Sequence, residues 1–271
     1  AKNNYKKTIK INPKFTKAFF NLGIIYQENG EFKEAIHNYE KAINTDPTFI
    51  QAYINLATIF NDLGKLEKAK LIYVKVIKIN PNLIIPYNNL ANVLTNLGNY
   101  EEAKYFYKQA IKRNPKYFEA YVNLGILCQE LGEFAESLKY YKKAIVYNPY
   151  DLKTYYQVSN LDKKILNKKL QNKINKILNN TQVSLSDLAY GHLLLSKFKF
   201  KEKNYLSEVR YLIKGHNYYY NLNKKKFDTE NYYWFVKLQQ NLDKLKIKIP
   251  PFENKKILPI FVLGVPRSGT T

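Results

Sequence analysis

An asparagine or aspartate followed by proline recurs at Asn12-Pro13, Asp46-Pro47, Asn80-Pro81, Asn114-Pro115 and Asn148-Pro149, always 34 residues apart. Proline cannot continue a helix, because its ring removes an amide donor and collides with the preceding turn. Stops at a fixed interval therefore cut the chain into equal units. A unit of this length cannot bury an apolar face by itself and must stack on its neighbours. The alignment gives four complete units, at 16–49, 50–83, 84–117 and 118–151, preceded by the second half of another.

Each column of that alignment has a physical rationale. The eighth position holds Gly23, Ala57, Ala91 and Gly125, small enough for two helices of one unit to approach closely. The fifteenth is Gly30, Gly64, Gly98 and Gly132, where a first helix ends and the chain needs a left-handed residue. The twentieth is small again, with Ala35, Ala69, Ala103 and Ser137. Phe19, Tyr53, Tyr87 and Tyr121, with Leu22, Leu56, Leu90 and Leu124, recur on one face of the first helix, and Tyr39, Tyr73, Tyr107 and Tyr141 on one face of the second.

With these columns in place, residues 1–151 resemble the tetratricopeptide-repeat family. The resemblance implies an all-α superhelical solenoid with a concave groove lined by the first helices. Past Pro149 the pattern fades, although Tyr155 and Val158 fit the opening of a fifth repeat. Leu161, Ile165, Leu170, Ile174 and Leu178 form a stripe that predicts one non-repeat helix over 161–178. Ser184 and Asp187 have capping-box spacing, and the helix they open pairs with another from Tyr205 to about Tyr220. Phe235, Leu238, Leu242 and Leu245 predict a last helix ending before Pro250-Pro251, with Trp234 as a packing residue. Residues 152–249 are thus expected to be a degenerate helical cap and linker helix.

The formal net charge of +22 raises a polyanion as partner. Two features weaken that expectation: the lysines are scattered, and arginine, the residue suited to bidentate phosphate contacts, is almost absent. Solvated surface charge is the preferred reading. Cys128 has no partner for an internal disulfide and falls at a buried repeat position, which fits a structural thiol and a cytoplasmic location. His37, His192 and His216 lack metal-ligand spacing, so no metal is expected. No apolar run reaches the roughly 18 residues of a membrane-spanning helix. The chain contains no Met and opens within a repeat, as expected of a fragment.

Two parts of the chain carry candidate chemistry. In the groove, the sixth position of every complete repeat is asparagine, at Asn21, Asn55, Asn89 and Asn123. An amide offers both a donor and an acceptor, which suits the backbone of an extended peptide. This row resembles the asparagine ladder of O-linked N-acetylglucosamine transferases, which grips protein acceptors. The carboxylate clamp of chaperone-binding tetratricopeptide domains is not expected: its five places read Phe20, Ile24, Asn55, Ile85 and Asn89, and only one matches.

The second part is the terminus, Pro259-Ile-Phe-Val-Leu-Gly-Val-Pro-Arg-Ser-Gly-Thr-Thr271. Ile260 to Leu263 predict a short buried β-strand, and Gly264 opens a P-loop-like turn in which backbone amides can approach a phosphate. A nucleoside-triphosphate loop would need lysine where Thr270 stands. The string from Gly264 to Thr271 resembles instead the phosphosulfate-binding loop of sulfotransferases that use 3′-phosphoadenosine 5′-phosphosulfate (PAPS). By that resemblance Arg267 is a catalytic residue contacting the sulfuryl group, and Ser268, Gly269, Thr270 and Thr271 join it in cofactor binding. Residues 250–271 would then begin an α/β sulfotransferase domain whose protein or glycan acceptor is oriented by the repeats. The alternative is a non-catalytic scaffold that binds an extended peptide in its groove.

Overall fold

The computed structural model describes residues 1–223, and every regular element among them is helical. Helix α1 (Lys2–Ile11) is the second half of a repeat. Four helix pairs follow: α2 (Thr16–Glu28) with α3 (Phe32–Thr45), α4 (Ile50–Asp62) with α5 (Leu66–Ile79), α6 (Ile85–Asn96) with α7 (Tyr100–Arg113), and α8 (Phe118–Glu130) with α9 (Phe134–Tyr147). Contacts run almost wholly between neighbours in this order, as a repeat architecture requires.

Each first helix ends in the same way. Gly30, Gly64, Gly98 and Gly132 have φ of 77°, 70°, 79° and 78°. In the first repeat the Glu31 amide donates to the Tyr26 carbonyl at 2.8 Å and the Gly30 amide to that of Gln27 at 3.0 Å, which is the Schellman pattern. The second helices end on the Asx-Pro pairs, and here the residue before proline contributes as much as the proline. The side-chain oxygens of Asn12, Asp46, Asn80, Asn114 and Asn148 each accept from the amide two residues on, at 2.9–3.3 Å. These Asx turns fix the chain direction into the next first helix.

Between the paired helices lies the core. Ala35, Ala69 and Ala103 are fully buried, as are Tyr39 and Tyr141. Ser137 keeps the small-residue column and satisfies its hydroxyl by donating to the Gly125 carbonyl at 2.7 Å. Arg113 lies over the Tyr87 ring at 3.7 Å and donates to its hydroxyl at 2.6 Å, so this buried aromatic is covered by a guanidinium.

After the fourth repeat come α10 (Leu152–Leu161), α11 (Lys168–Leu178), α12 (Leu185–Lys201) and α13 (Tyr205–Asn223). Leu152 and Val158 on α10 are fully buried, in the manner of a first helix. The single helix expected over 161–178 is not formed. Leu161 ends α10, residues Lys163–Ile165 make one 3₁₀ turn, and a new helix starts at Lys168. The cause is two polar caps. Asp162 accepts from the Lys164 amide at 3.0 Å and Asn167 from the Leu170 amide at 3.0 Å, each offering the backbone an alternative to a continuous helix. Leu170 and Ile174 remain buried on α11.

Ser184 caps α12 by accepting from the Asp187 amide at 3.0 Å, and its hydroxyl donates to the Asp187 carboxylate at 2.6 Å. Gly191 brings α12 onto Leu152 and Leu178, and Gly215 brings α13 onto Leu193, closely enough that an added Cβ would fall within 2.8 Å of a leucine side chain. The predicted strand at 260–263, the phosphate loop, Trp234 and the helix containing Phe235 lie outside the described residues.

Candidate functional site: the face of the first helices

First helices touch each other from repeat to repeat. Helix α4 contacts α6, and α6 contacts α8. Two side-chain bonds cross directly: Asn96 Nδ2 donates to Asn61 Oδ1 at 3.3 Å, and Asn123 Nδ2 to Asn88 Oδ1 at 3.0 Å. The predicted asparagine row lies along this face, half-buried at all four positions.

The row is not free-standing. Asn21 donates to the Tyr5 hydroxyl at 3.3 Å, Asn55 to Tyr39 at 3.2 Å and Asn89 to Tyr73 at 3.4 Å, in each case to the tyrosine of the preceding second helix. Asn123 departs from the pattern by bonding to Asn88, which in turn donates to Asn89 at 3.3 Å. A chain of amides thus runs from Tyr73 through Asn89 and Asn88 to Asn123. Each Nδ2 has a second hydrogen, and among the described residues no donor reaches Oδ1 of Asn21, Asn55 or Asn123. Carbonyl and amide capacity therefore remains on the face.

The tyrosines that orient the row are the part sequence reasoning missed. It had assigned Tyr39, Tyr73, Tyr107 and Tyr141 to packing alone. Their hydroxyls also reach a polar group on the first helix of their own repeat, and they do so in two ways. Tyr39 donates to Gln27 at 2.7 Å and Tyr141 to Gln129 at 3.1 Å, both in repeats with glycine at the eighth position. Tyr73 pairs with Thr58 at 3.0 Å and Tyr107 donates to Asn92 at 2.6 Å, both in repeats with alanine there. The signal was present as a co-occurrence: Gly23 and Gly125 are followed by isoleucine and, later, glutamine, whereas Ala57 and Ala91 are followed directly by Thr58 and Asn92.

Burial raises the phenol pKa of Tyr39, Tyr73 and Tyr141, and pushes that of Tyr107 up to about 12. Nearby carboxylates add to the shift: Glu28 acts on Tyr39, Asp62 on Tyr73, and Glu130 on both Tyr107 and Tyr141. Desolvation is the main cause of the rise in the Cys128 thiol, to about 11, with the Glu133 carboxylate also contributing. A buried thiol of that kind is inert. His37 is exposed, whereas His192 Nδ1 donates to the Leu188 carbonyl at 2.8 Å and the ring rests against Tyr218. Among the described residues no group of histidine, cysteine and carboxylates could hold a metal ion, and no helix is long and apolar enough to cross a membrane. Arg267, Ser268, Gly269, Thr270 and Thr271 lie outside the described residues.

Stacked helix pairs of this construction define a helical-repeat scaffold. The particular family follows from three matches to the tetratricopeptide repeat, over residues 16–49, 50–83 and 83–145, so residues 16–145 of this chain are tetratricopeptide repeats. The fold is shared with a tetratricopeptide repeat protein from Parabacteroides merdae, at 22% identity and a TM-score of 0.59, covering 82% of this chain and 86% of that one. It is also shared with PilF of Pseudomonas aeruginosa, at 19% identity and a TM-score of 0.54, covering 77% and 90%. YrrB, described as having an unusual peptide-binding site, aligns at 16% identity and a TM-score of 0.50, covering 78% and 98%. No curated protein sequence matches the chain.

Proposed function

We propose that this chain is a protein-binding scaffold whose first-helix face holds an extended segment of a partner. The observation that carries the proposal is the amide row. Asn21, Asn55 and Asn89 are oriented by tyrosines of the preceding second helix and Asn123 by Asn88, while the carbonyl oxygens of Asn21, Asn55 and Asn123 accept from no donor among the described residues and are open to a ligand backbone. Peptide binding by YrrB, a protein of the same fold, supports the reading by analogy.

The test replaces Asn55, Asn89 and Asn123 by Ala together. Tyr39 and Tyr73 keep their partners Gln27 and Thr58, so circular dichroism should show unchanged helicity. Peptides selected from a random library on the wild-type protein should lose affinity at least tenfold, since each lost backbone pairing contributes about 1 kcal/mol. Unchanged affinity with an intact fold removes the reading.

A second reading joins this scaffold to PAPS-dependent sulfuryl transfer onto a protein or glycan. It rests on the string Gly264 to Thr271 alone. In it Arg267 neutralises charge on the bridging oxygen, and Ser268, Gly269, Thr270 and Thr271 hold the 5′-phosphate. Calorimetric titration with PAPS on the longest expressible form of the protein decides it. Binding that Thr270→Ala weakens supports the reading, and absence of binding removes it.

A further inference from the structure

The first-helix face differs in charge from the rest of this basic protein. Among α2, α4, α6 and α8 the charged residues are Lys17, Glu28, Asp62, Glu119 and Glu130, and α6 has none. The second helices carry an excess of lysine, with Lys68, Lys70, Lys75 and Lys78 on α5 alone. Glu28, Asp62 and Glu130 share one column of the repeat, and all three are exposed. No ion pair involves any of them among the described residues, whereas Glu31, Glu101, Glu133 and Glu136 on or beside the second helices are each paired with lysine.

Two observations place this column on the same first-helix face as the amide row. In the third repeat the same position is Asn96, whose side chain bonds to Asn61 of the previous first helix at 3.3 Å. In the other three repeats the carboxylate follows the row's asparagine by seven residues, about two turns of the same helix, as Glu28 follows Asn21, Asp62 follows Asn55 and Glu130 follows Asn123, so each pair shares one helix face. In three repeats of four the face therefore presents an amide and, about two turns along the same helix, a carboxylate with no ion pair among the described residues, in a protein of net charge +22. A carboxylate that lacks a cationic partner on such a face favours a cationic ligand over an anionic one.

Resting on the scaffold reading above, we infer that the partner segment is an extended peptide bearing spaced lysine or arginine side chains, whose cations meet Glu28, Asp62 and Glu130 while its backbone meets the amides. A polyanion is repelled from this face in spite of the overall charge.

The experiment uses the whole chain and two labelled peptides, one alternating lysine with serine and one alternating glutamate with serine, followed by fluorescence anisotropy. The lysine peptide should bind and the glutamate peptide should not. Glu28→Gln, Asp62→Asn and Glu130→Gln together should weaken lysine-peptide binding about tenfold and flatten its salt dependence, three solvent-exposed pairs being lost. All three sites are exposed, so the fold should persist, and circular dichroism checks it. Equal binding of both peptides, no binding of the lysine peptide, or full affinity in the neutralised variant each overturns the inference. The asparagine-to-alanine variant separates the two claims. If it loses both peptides equally, the amide face is the site and only the charge preference is wrong. If neither variant alters binding, the ligand sits elsewhere and the scaffold reading fails as well.

Discussion

Replacing Gly125 by alanine tests how the repeats are packed. A Cβ at Gly125 would lie 2.7 Å from Cε1 and 2.8 Å from Cδ1 of Tyr141, atoms of a fully buried ring. The ring has to move, and overpacking of this kind costs about 1–3 kcal/mol. Moving it also strains the bond from its hydroxyl to Gln129 at 3.1 Å, which contributes about 1 kcal/mol. Against this, alanine is better than glycine inside a helix by about 1 kcal/mol. The net expectation is a loss of about 1–3 kcal/mol, read as a lower urea midpoint at constant slope. Repeats two and three show what a compensated site looks like, since Ala57 and Ala91 coexist with hydroxyls turned to Thr58 and Asn92. Adding Ile126→Thr to Gly125→Ala supplies the equivalent acceptor. The pair should be less destabilised than the two single changes predict, by at least about 0.5 kcal/mol. If Gly125→Ala is as stable as wild type, or the double-mutant cycle shows no coupling, the two-state placement of the tyrosine ring is wrong.

The hydroxyl of Tyr53 is buried with no partner among the described residues, whereas Tyr121 in the same column donates to the Pro115 carbonyl at 3.2 Å. Tyr53→Phe should therefore be neutral or stabilising and Tyr121→Phe should cost about 1 kcal/mol, both by urea unfolding. Gly98→Ala meets no atom within 4 Å, so its expected loss of about 1 kcal/mol comes wholly from the φ of 79°. Because the phenol of Tyr107 is raised to about 12 in the folded chain, the unfolded chain releases that proton first. Stability should hold below pH 10 and fall as the pH climbs from about 10 to 12, followed by thermal melts alongside phenolate absorbance.

What the chain's punctuation specified, it specified locally. A glycine that must be left-handed and a proline that cannot be helical act within one turn, so Gly30, Gly64, Gly98 and Gly132 and the Asx-Pro pairs marked helix ends that the fold reproduces. The same locality explains the one misplaced helix. The leucine and isoleucine stripe over 161–178 has helical spacing, but Asp162 and Asn167 cap from within it, and their side-chain bonds outcompete a continuous ladder.

The site was legible only as a row of asparagines. What each amide does depends on a tyrosine 16 residues away or an asparagine 35 residues away, and those partners meet only after helices stack. Sequence alone determined that there are repeats, where they turn and which columns are small, because steric rules act on neighbouring residues. Tertiary structure decided that Tyr39 and Tyr73 orient the amide row, that glycine and alanine repeats hold their tyrosines differently, and that Glu28, Asp62 and Glu130 are exposed with no ion pair among the described residues. Hydrogen bonds and charge pairing between helices are properties of the packed assembly, and no local pattern encodes which of several equivalent side chains will be left without a partner.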